Sequence, residues 1–174
     1  MWEQKARLER AAILMFLRAL RLHAQRELTI REQRERPDFM VTDEQGRCIG
    51  VEVTHLYHNE AEARYLNGHN TQGIHPITTL EELLDALNKG LRHKALLSYG
   101  YDPFDGLLLL IRVPSPRVQK QTILDHLEDL LLPPSAFNEI WMLFYDYDHL
   151  DWADLLQLNG KSKVKSQRSK VKSS

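Results

Sequence analysis

Apolar residues recur at helical spacing along residues 2–26, and neither Gly nor Pro interrupts them. Positions three and four apart share one face of a helix, so this pattern predicts a long amphipathic helix with its stripe at Leu8, Ala12, Met15, Ala19 and Leu22. Residues 28–31 are too few to distinguish a short strand from the end of that helix, and we favour the strand.

Two β-rich segments follow, residues 39–42 and 48–54, and a short polar connection containing a glycine separates them. This arrangement is typical of a hairpin with antiparallel strands. Because side chains alternate along a strand, Glu52 and Thr54 should share one face of the second strand. Residues 55–78 show no such period and are expected to form a long irregular excursion, of a length that is usually functional or mobile.

The second half of the chain alternates helical and strand patterns. Thr79 is a candidate N-cap, with Glu82 in the capping-box position, for a helix that continues to about residue 99. The continuous apolar run of residues 106–113 then predicts a central strand that is buried on both faces.

Helical spacing returns over residues 118–132, and residues 139–145 predict another buried strand. The order is therefore helix, two or three strands, helix, strand, helix, strand. This order predicts a mixed sheet flanked by helices, of the α/β class. A length of 174 residues suits one domain, which we place at residues 1–160, followed by a basic tail at residues 161–174.

The net charge of −1 hides an uneven distribution of charge. The Lys/Ser-rich tail carries a charge of +6, whereas residues 37–160 carry −11. A tail of this composition cannot bury enough apolar surface to order itself, which predicts a solvated, disordered terminus. The alternative is a non-specific arm that contacts phosphates and is therefore sensitive to salt.

Cys48 is the only cysteine, which excludes a disulfide framework and a cysteine-based zinc site. The longest apolar run near the start, residues 11–17, is too short to span a bilayer. These two features predict a cytoplasmic protein with no membrane partner.

Two acidic residues carry the candidate chemistry. Asp38 opens the first strand of the hairpin, and Glu52, after thirteen intervening residues, lies near the end of the second. The two carboxylates can therefore converge at one edge of the sheet. Mg²⁺ prefers one or two carboxylates together with several waters, and Mn²⁺ is the alternative ion. Such an ion would activate a bound water and neutralise a scissile phosphate, which predicts a metal-dependent phosphodiesterase.

The segment resembles the PD-(D/E)XK nuclease superfamily, whose motif is a Pro-Asp pair, a turn and then Glu-x-Lys. The matching residues are Pro37, Asp38 and Glu52. The resemblance implies a restriction-endonuclease-like fold with an α-β-β-β-α-β core. It also implies that Asp38 and Glu52 are metal ligands, that the backbone carbonyl of Val53 is a third, and that the first helix supplies an acid such as Glu9.

One position departs from the motif, because Thr54 stands where the family has its lysine. Threonine keeps a hydrogen-bonding oxygen but has no positive charge. Some members of the superfamily supply the lysine from the following helix, and Lys94 is our candidate for that role. The predicted catalytic set is therefore Asp38, Glu52, Thr54 and Lys94. The ordinary alternative is a turn aspartate followed by an exposed strand glutamate.

The sequence thus favours a Mg²⁺-dependent endonuclease that acts on DNA. A second hypothesis is a catalytically inactive module of the same fold that binds protein or nucleic acid, since the motif lysine is missing and the body is acidic. A third is a nucleic-acid binder that depends on residues 161–174. The oligomeric state, a homodimer included, and the form of the substrate stay open.

Overall fold

The computed structural model describes residues 2–56, 79–114, 118–145 and 153–160. In chain order the elements are α1 (Trp2–Ala24), β1 (Leu28–Gln33), β2 (Phe39–Asp43), β3 (Cys48–His55), α2 (Leu80–Ser98), β4 (Gly106–Val113), α3 (Lys120–Asp125), a short 3₁₀ helix (Leu127–Asp129), β5 (Glu139–Tyr145) and β6 (Ala153–Gln157). The irregular excursion was expected over residues 55–78, but β3 extends to His55, and residues 57–78 lie outside the described residues, as does the basic tail at residues 161–174.

The six strands form one sheet in the order β1-β2-β3-β4-β5-β6. Strand β4 pairs in parallel with β3 and with β5, and the other pairs are antiparallel. The predicted α/β class with a mixed sheet is confirmed, as are the hairpin of β2 and β3 and the central position of β4. The short strand favoured after the first helix is also confirmed, as β1.

Helices cover both faces of the sheet, because alternate residues of β4 belong to different apolar clusters. Leu108 and Leu110 pack in the cluster that contains the buried stripe of α1. Leu109 and Ile111 pack instead in the cluster that contains Leu87 and the rest of the buried face of α2. Strand β4 is therefore buried on both sides, and α1 and α2 lie on opposite faces of the sheet.

Helix α2 begins at the predicted capping box. The backbone N–H of Glu82 donates to the Thr79 hydroxyl at 3.2 Å, and the Glu82 carboxylate accepts from the Thr79 backbone N–H at 3.1 Å. These two bonds satisfy backbone donors that the first turn of a helix leaves unpaired.

Two expectations about the C-terminal half need correction. The helix predicted over residues 118–132 is much shorter, since α3 ends at Asp125 and only the 3₁₀ helix follows it. The side chain of Asn88, on α2, accepts the N–H of Leu131 at 2.8 Å and donates to the carbonyl of Asp129 at 3.1 Å. These bonds to another element hold the segment in a non-helical path. Strand β6 was not predicted.

No helix in the described part of the chain is long and apolar enough to cross a membrane.

Gly50, on β3, has no side chain, which allows the rings of Pro37 and Phe104 to pack directly against its backbone. A Cβ atom at this position would lie 2.7 Å from Cγ of Pro37 and 2.9 Å from Cδ2 of Phe104. We expect Gly50→Ala to lower the free energy of unfolding by about 2 kcal/mol, because rigid rings occupy the space that the methyl group needs.

Gly90→Ala is the matched control, since a Cβ atom there meets nothing within 4 Å. In the interior of α2 it should raise the free energy of unfolding by about 0.5–1 kcal/mol through helix propensity. Urea unfolding of the three proteins measures both changes. Equal stability of Gly50→Ala and the parent protein would show that the hairpin is not packed this closely.

Candidate functional site

Asp38 lies at the end of the connection between β1 and β2, and it is 4% exposed. Its Oδ2 atom accepts a hydrogen bond of 2.7 Å from the backbone N–H of Val53 on β3. The aspartate is thus fixed against the strand that carries Glu52.

Glu52 is also buried, with 6% of its surface exposed. Its Oε1 atom accepts a hydrogen bond of 2.6 Å from Nζ of Lys94. Among the described residues no group donates to its second oxygen, Oε2, although that atom is buried as well. A buried carboxylate oxygen without a donor is uncommon, and Oε2 is therefore a candidate ligand atom for a cation or an ordered water.

Lys94 reaches Glu52 from α2, the helix on that face of the sheet. The Lys94 side chain is 17% exposed, so the ion pair is largely shielded from solvent. Thr54 follows Glu52 on the same face of β3 and is half-buried. The Val53 side chain is on the opposite face, where it packs in the cluster with α1, and its backbone N–H is the group that contacts Asp38.

Helix α1 adds two charged residues to this region. Glu9 is 5% exposed, and its Oε1 atom lies 3.2 Å from Nζ of Lys5, one turn earlier on the helix. Glu9 interacts electrostatically with Glu52 and with Asp38. Three buried carboxylates, contributed by α1, β3 and the connection before β2, therefore influence one another.

Burial and mutual repulsion shift the protonation of these acids. Burial, followed by the charge of Glu52, raises the pKa of Asp38 to about 7, against the lowering effect of the Val53 N–H. Burial also raises the pKa of Glu9, although Lys5 opposes this change. Carboxylates with raised pKa values in a cleft are frequent at functional sites, since a bound cation can supply the missing charge.

Lys5, Tyr101 and His55 complete the surroundings. Burial acts to lower the pKa of Lys5, but the Glu9 carboxylate outweighs it and raises that pKa, which keeps the ammonium charged. Burial and the nearby charge of Glu52 raise the pKa of the Tyr101 hydroxyl. Burial, together with the charges of Arg112, Lys5 and Lys94, lowers the pKa of His55 to about 3, so its imidazole is neutral near pH 7.

A cleft of about 210 Å³ opens between α1 and the connection from β1 to β2. Its lining combines the acids Glu9 and Asp38 with Lys5, Arg34 and Arg36. The volume corresponds to roughly seven water molecules at their density in the liquid. The two acids are buried, whereas Lys5 and Arg36 are exposed to solvent.

The donor set of this region fits a magnesium-like ion better than a zinc ion. In the described ranges, no three His, Cys, Asp or Glu side chains form a group that could hold a metal ion. A zinc site needs three or four such ligands, whereas Mg²⁺ takes one or two carboxylates and keeps several waters. Asp38 and Glu52 meet the second requirement, with Oε2 of Glu52 as the oxygen that lacks a donor.

No family model, curated protein or solved structure matches this chain.

The structure brings together Asp38, the backbone of Val53, Glu52 and Lys94, and it places Glu9 near them. Thr54 shares the face of Glu52. Sequence reasoning missed Lys5 and Tyr101. The spacing of Lys5 and Glu9 on a predicted helix was a usable signal for the first, because residues four apart are neighbours on a helix. Tyr101 follows α2 and had no comparable signal.

Proposed function

We propose that this protein is a metal-dependent phosphodiesterase that cleaves DNA, with a restriction-endonuclease-like fold of the PD-(D/E)XK type. The observation that carries the proposal is the pair of buried carboxylates, Asp38 and Glu52, with Lys94 bonded to one of them. An order of elements α-β-β-β-α-β at the start of the chain supports the fold assignment.

Asp38 and Glu52 would hold one Mg²⁺ or Mn²⁺ ion, and the carbonyl of Val53 is a candidate third ligand. When bound, such an ion lowers the pKa of a coordinated water and neutralises charge on the phosphate. The Val53 N–H keeps Asp38 in place, because it fixes one carboxylate oxygen. Second-sphere bonds of this kind orient metal ligands.

Lys94 supplies the positive charge that Thr54 cannot supply. Its Nζ atom lies 2.6 Å from Oε1 of Glu52, the glutamate of the motif. A lysine that acts from the following helix has to reach this glutamate, and Lys94 does so. In this role its ammonium group would stabilise the negative charge that develops on the phosphate during attack by water. Thr54 contributes a hydroxyl on the same face.

The test is cleavage of supercoiled plasmid DNA in Mg²⁺ or Mn²⁺, compared with EDTA. We expect Asp38→Asn and Glu52→Gln each to reduce the cleavage rate by about a hundredfold, since a bound metal supplies several kcal/mol to such a reaction. Circular dichroism of both variants checks that the fold is retained.

Glu139→Gln is the matched control, because Glu139 is a partly buried carboxylate on β5 with its own partners, Arg26 and Trp141. It should cleave at the parental rate. Cleavage by Asp38→Asn and Glu52→Gln that equals that of the control would contradict the proposal, and so would cleavage that persists in EDTA.

A binding module without catalysis is the second candidate. Two observations favour it: the ion pair of Lys94 and Glu52 already occupies one ligand oxygen, and residues 37–160 carry a charge of −11. Isothermal titration with Mn²⁺ separates the two functions. The enzyme should bind the ion with an affinity that falls in Glu52→Gln, whereas the module should give no heat of binding in either protein.

A further inference from the structure

The 210 Å³ cleft has three cations in its lining, together with the exposed acid Glu35 and two buried acids. Lys5 stands on α1 with a side chain that is 67% exposed, and Arg36 is exposed on the opposite wall. Arg34 stands on the same wall as Arg36. Glu9 and Asp38 lie below them, and both are buried. A ligand that enters this cleft therefore meets the exposed cations Lys5 and Arg36, with the exposed acid Glu35 beside Arg36, before the buried carboxylates.

Arg34 is held in place before any ligand binds. One of its terminal nitrogens forms an ion pair with Asp102, and its guanidinium lies over the ring of Phe104 at 5.4 Å from the centroid. An arginine has five N–H donors, so this ion pair leaves others for a ligand. Because the side chain is already ordered, less conformational entropy is lost when it binds.

The segment that carries Arg34 and Arg36, between β1 and β2, is also hydrogen-bonded to α1. The side chain of Gln33 donates to the carbonyl of Ala6 on α1 at 3.0 Å, and the N–H of Arg34 donates to the carbonyl of Asp38 at 2.7 Å. A shift of register between Ile30 and Glu32 precedes this segment. Irregularities of this kind change the direction of the following side chains and are frequent beside active sites.

From this arrangement we propose that the cleft binds a backbone phosphate of a polynucleotide, with Arg34, Arg36 and Lys5 as its donors. The inference deepens the proposed nuclease function and rests on it, because the bound phosphate would lie next to the buried Asp38. Arginine forks match the geometry of phosphate oxygens, and each neutralised phosphate releases counterions from the DNA. Three cations at one opening would give a locally favourable contact for a phosphate on a body whose overall balance is acidic.

The test measures binding and not cleavage. Fluorescence anisotropy of a labelled 20-base-pair duplex is titrated with the full-length protein in EDTA at 50, 100 and 200 mM salt. We expect Arg34→Gln and Arg36→Gln each to weaken binding threefold to tenfold at 50 mM salt. Each should also reduce the slope of log K against log salt by about 0.9, the value for one lost phosphate contact on duplex DNA.

Arg31→Gln is the matched control, since Arg31 lies on β1 outside the cleft and is exposed, with its Nε bonded to Thr42 at 2.8 Å. It should keep the parental affinity and slope. Glu35→Gln should change the affinity in the opposite direction. Glu35 is an exposed acid in the cleft lining, so removing its charge should strengthen DNA binding. The basic tail is present in every protein compared, so its contribution cancels.

The outcomes separate this inference from the nuclease function. If both cleft arginine variants bind with the parental slope, or if Arg31→Gln loses as much affinity as they do, the cleft is not the phosphate site. That result leaves plasmid cleavage by Asp38 and Glu52 unaffected. If the cleft variants lose affinity as expected but no metal supports cleavage, the phosphate site stands and the nuclease function fails.

Discussion

Replacing Lys94 by methionine is expected to lower the free energy of unfolding by about 3 kcal/mol. Lys94 is the cation in contact with Glu52, whose side chain is 8% exposed. Methionine fills most of the same volume but removes the ammonium group that bonds Oε1 of Glu52, and among the described residues Oε2 already lacks a donor. The cost is the desolvation of a charge that no longer has compensation.

A double-mutant cycle measures this ion pair directly. In the variant with both Lys94→Met and Glu52→Gln the unpaired charge is absent, so more than half of the lost stability should return. Lys89→Met is the matched control, because Lys89 is an exposed lysine of the same helix, and its change should stay within about 0.5 kcal/mol. Urea unfolding at pH 7 of the parent protein, Lys94→Met, Glu52→Gln, the double variant and Lys89→Met gives the five values that the cycle and its control need. A Lys94→Met protein as stable as the control would mean that solvent already screens the pair.

Asp38→Asn is expected to raise the free energy of unfolding at pH 8 by about 3 kcal/mol, although it should reduce the proposed metal-dependent cleavage about a hundredfold. The pKa of Asp38 is about 7 in the folded protein and 3.8 in its reference state. Between these values the folded state binds more protons than the unfolded state. The stability of the parent protein therefore falls as the pH rises from about 4 to about 7, and it stays lower above pH 7.

A difference of about three pKa units corresponds to roughly 4 kcal/mol. Part of this gain is lost in the variant, because the asparagine N–H donors need partners in the same buried place. The stability difference between Asp38→Asn and the parent protein should thus be near zero at pH 4 and largest at pH 8. Denaturant unfolding at several pH values measures it. A difference that does not change with pH would contradict the raised pKa.

Glu139→Gln is a control in which the expected change in the free energy of unfolding has the opposite sign to that of Asp38→Asn. Burial acts to raise the pKa of Glu139, but hydrogen bonds from Arg26 and Trp141 outweigh it and lower that pKa. The stability that this carboxylate contributes is therefore present above its unfolded pKa and is lost as the pH falls through its lower folded pKa. Glu139→Gln should be less stable than the parent protein at pH 8, and the difference should shrink in acid.

The pairing of Asp38 with the strand of Glu52 could be predicted because a hairpin is a local structure. Its register follows from a short connection and from the alternation of side chains, which are both visible in the sequence. Lys94 was chosen for a different reason: the resemblance implies a lysine from the following helix, and the capping box at Thr79 predicts that helix. The contact between Lys94 and Glu52 itself joins residues distant in sequence. The sequence could not show the hydrogen bond of Val53 to Asp38, because it depends on how the connection before β2 folds back.

The wrong predictions concern segments whose structure depends on contacts between residues that are distant in the sequence. Residues 118–132 have a helical period, yet the side chain of Asn88 takes the hydrogen bonds that a longer helix would need. Strand β6 has only five residues and contains an aspartate, so its own pattern is weak. Its pairing with β5, for example Leu155 opposite Leu143, is what makes it a strand.

The packing of α1 has a consequence for biosynthesis. The apolar stripe of this helix shares its cluster with Ala153 and Leu155 of β6, and Phe16 meets Trp141 of β5 edge to face at 6.0 Å. During translation the helix leaves the ribosome long before β5 and β6 exist. Residues of β1, β2 and β3 can cover part of its apolar face, but the part that packs on β5 and β6 stays exposed to chaperones until those strands are made. Lys5 and Glu9 lie on that helix. A nascent chain thus contains Asp38 and Glu52 well before β5 and β6 can complete the packing of α1.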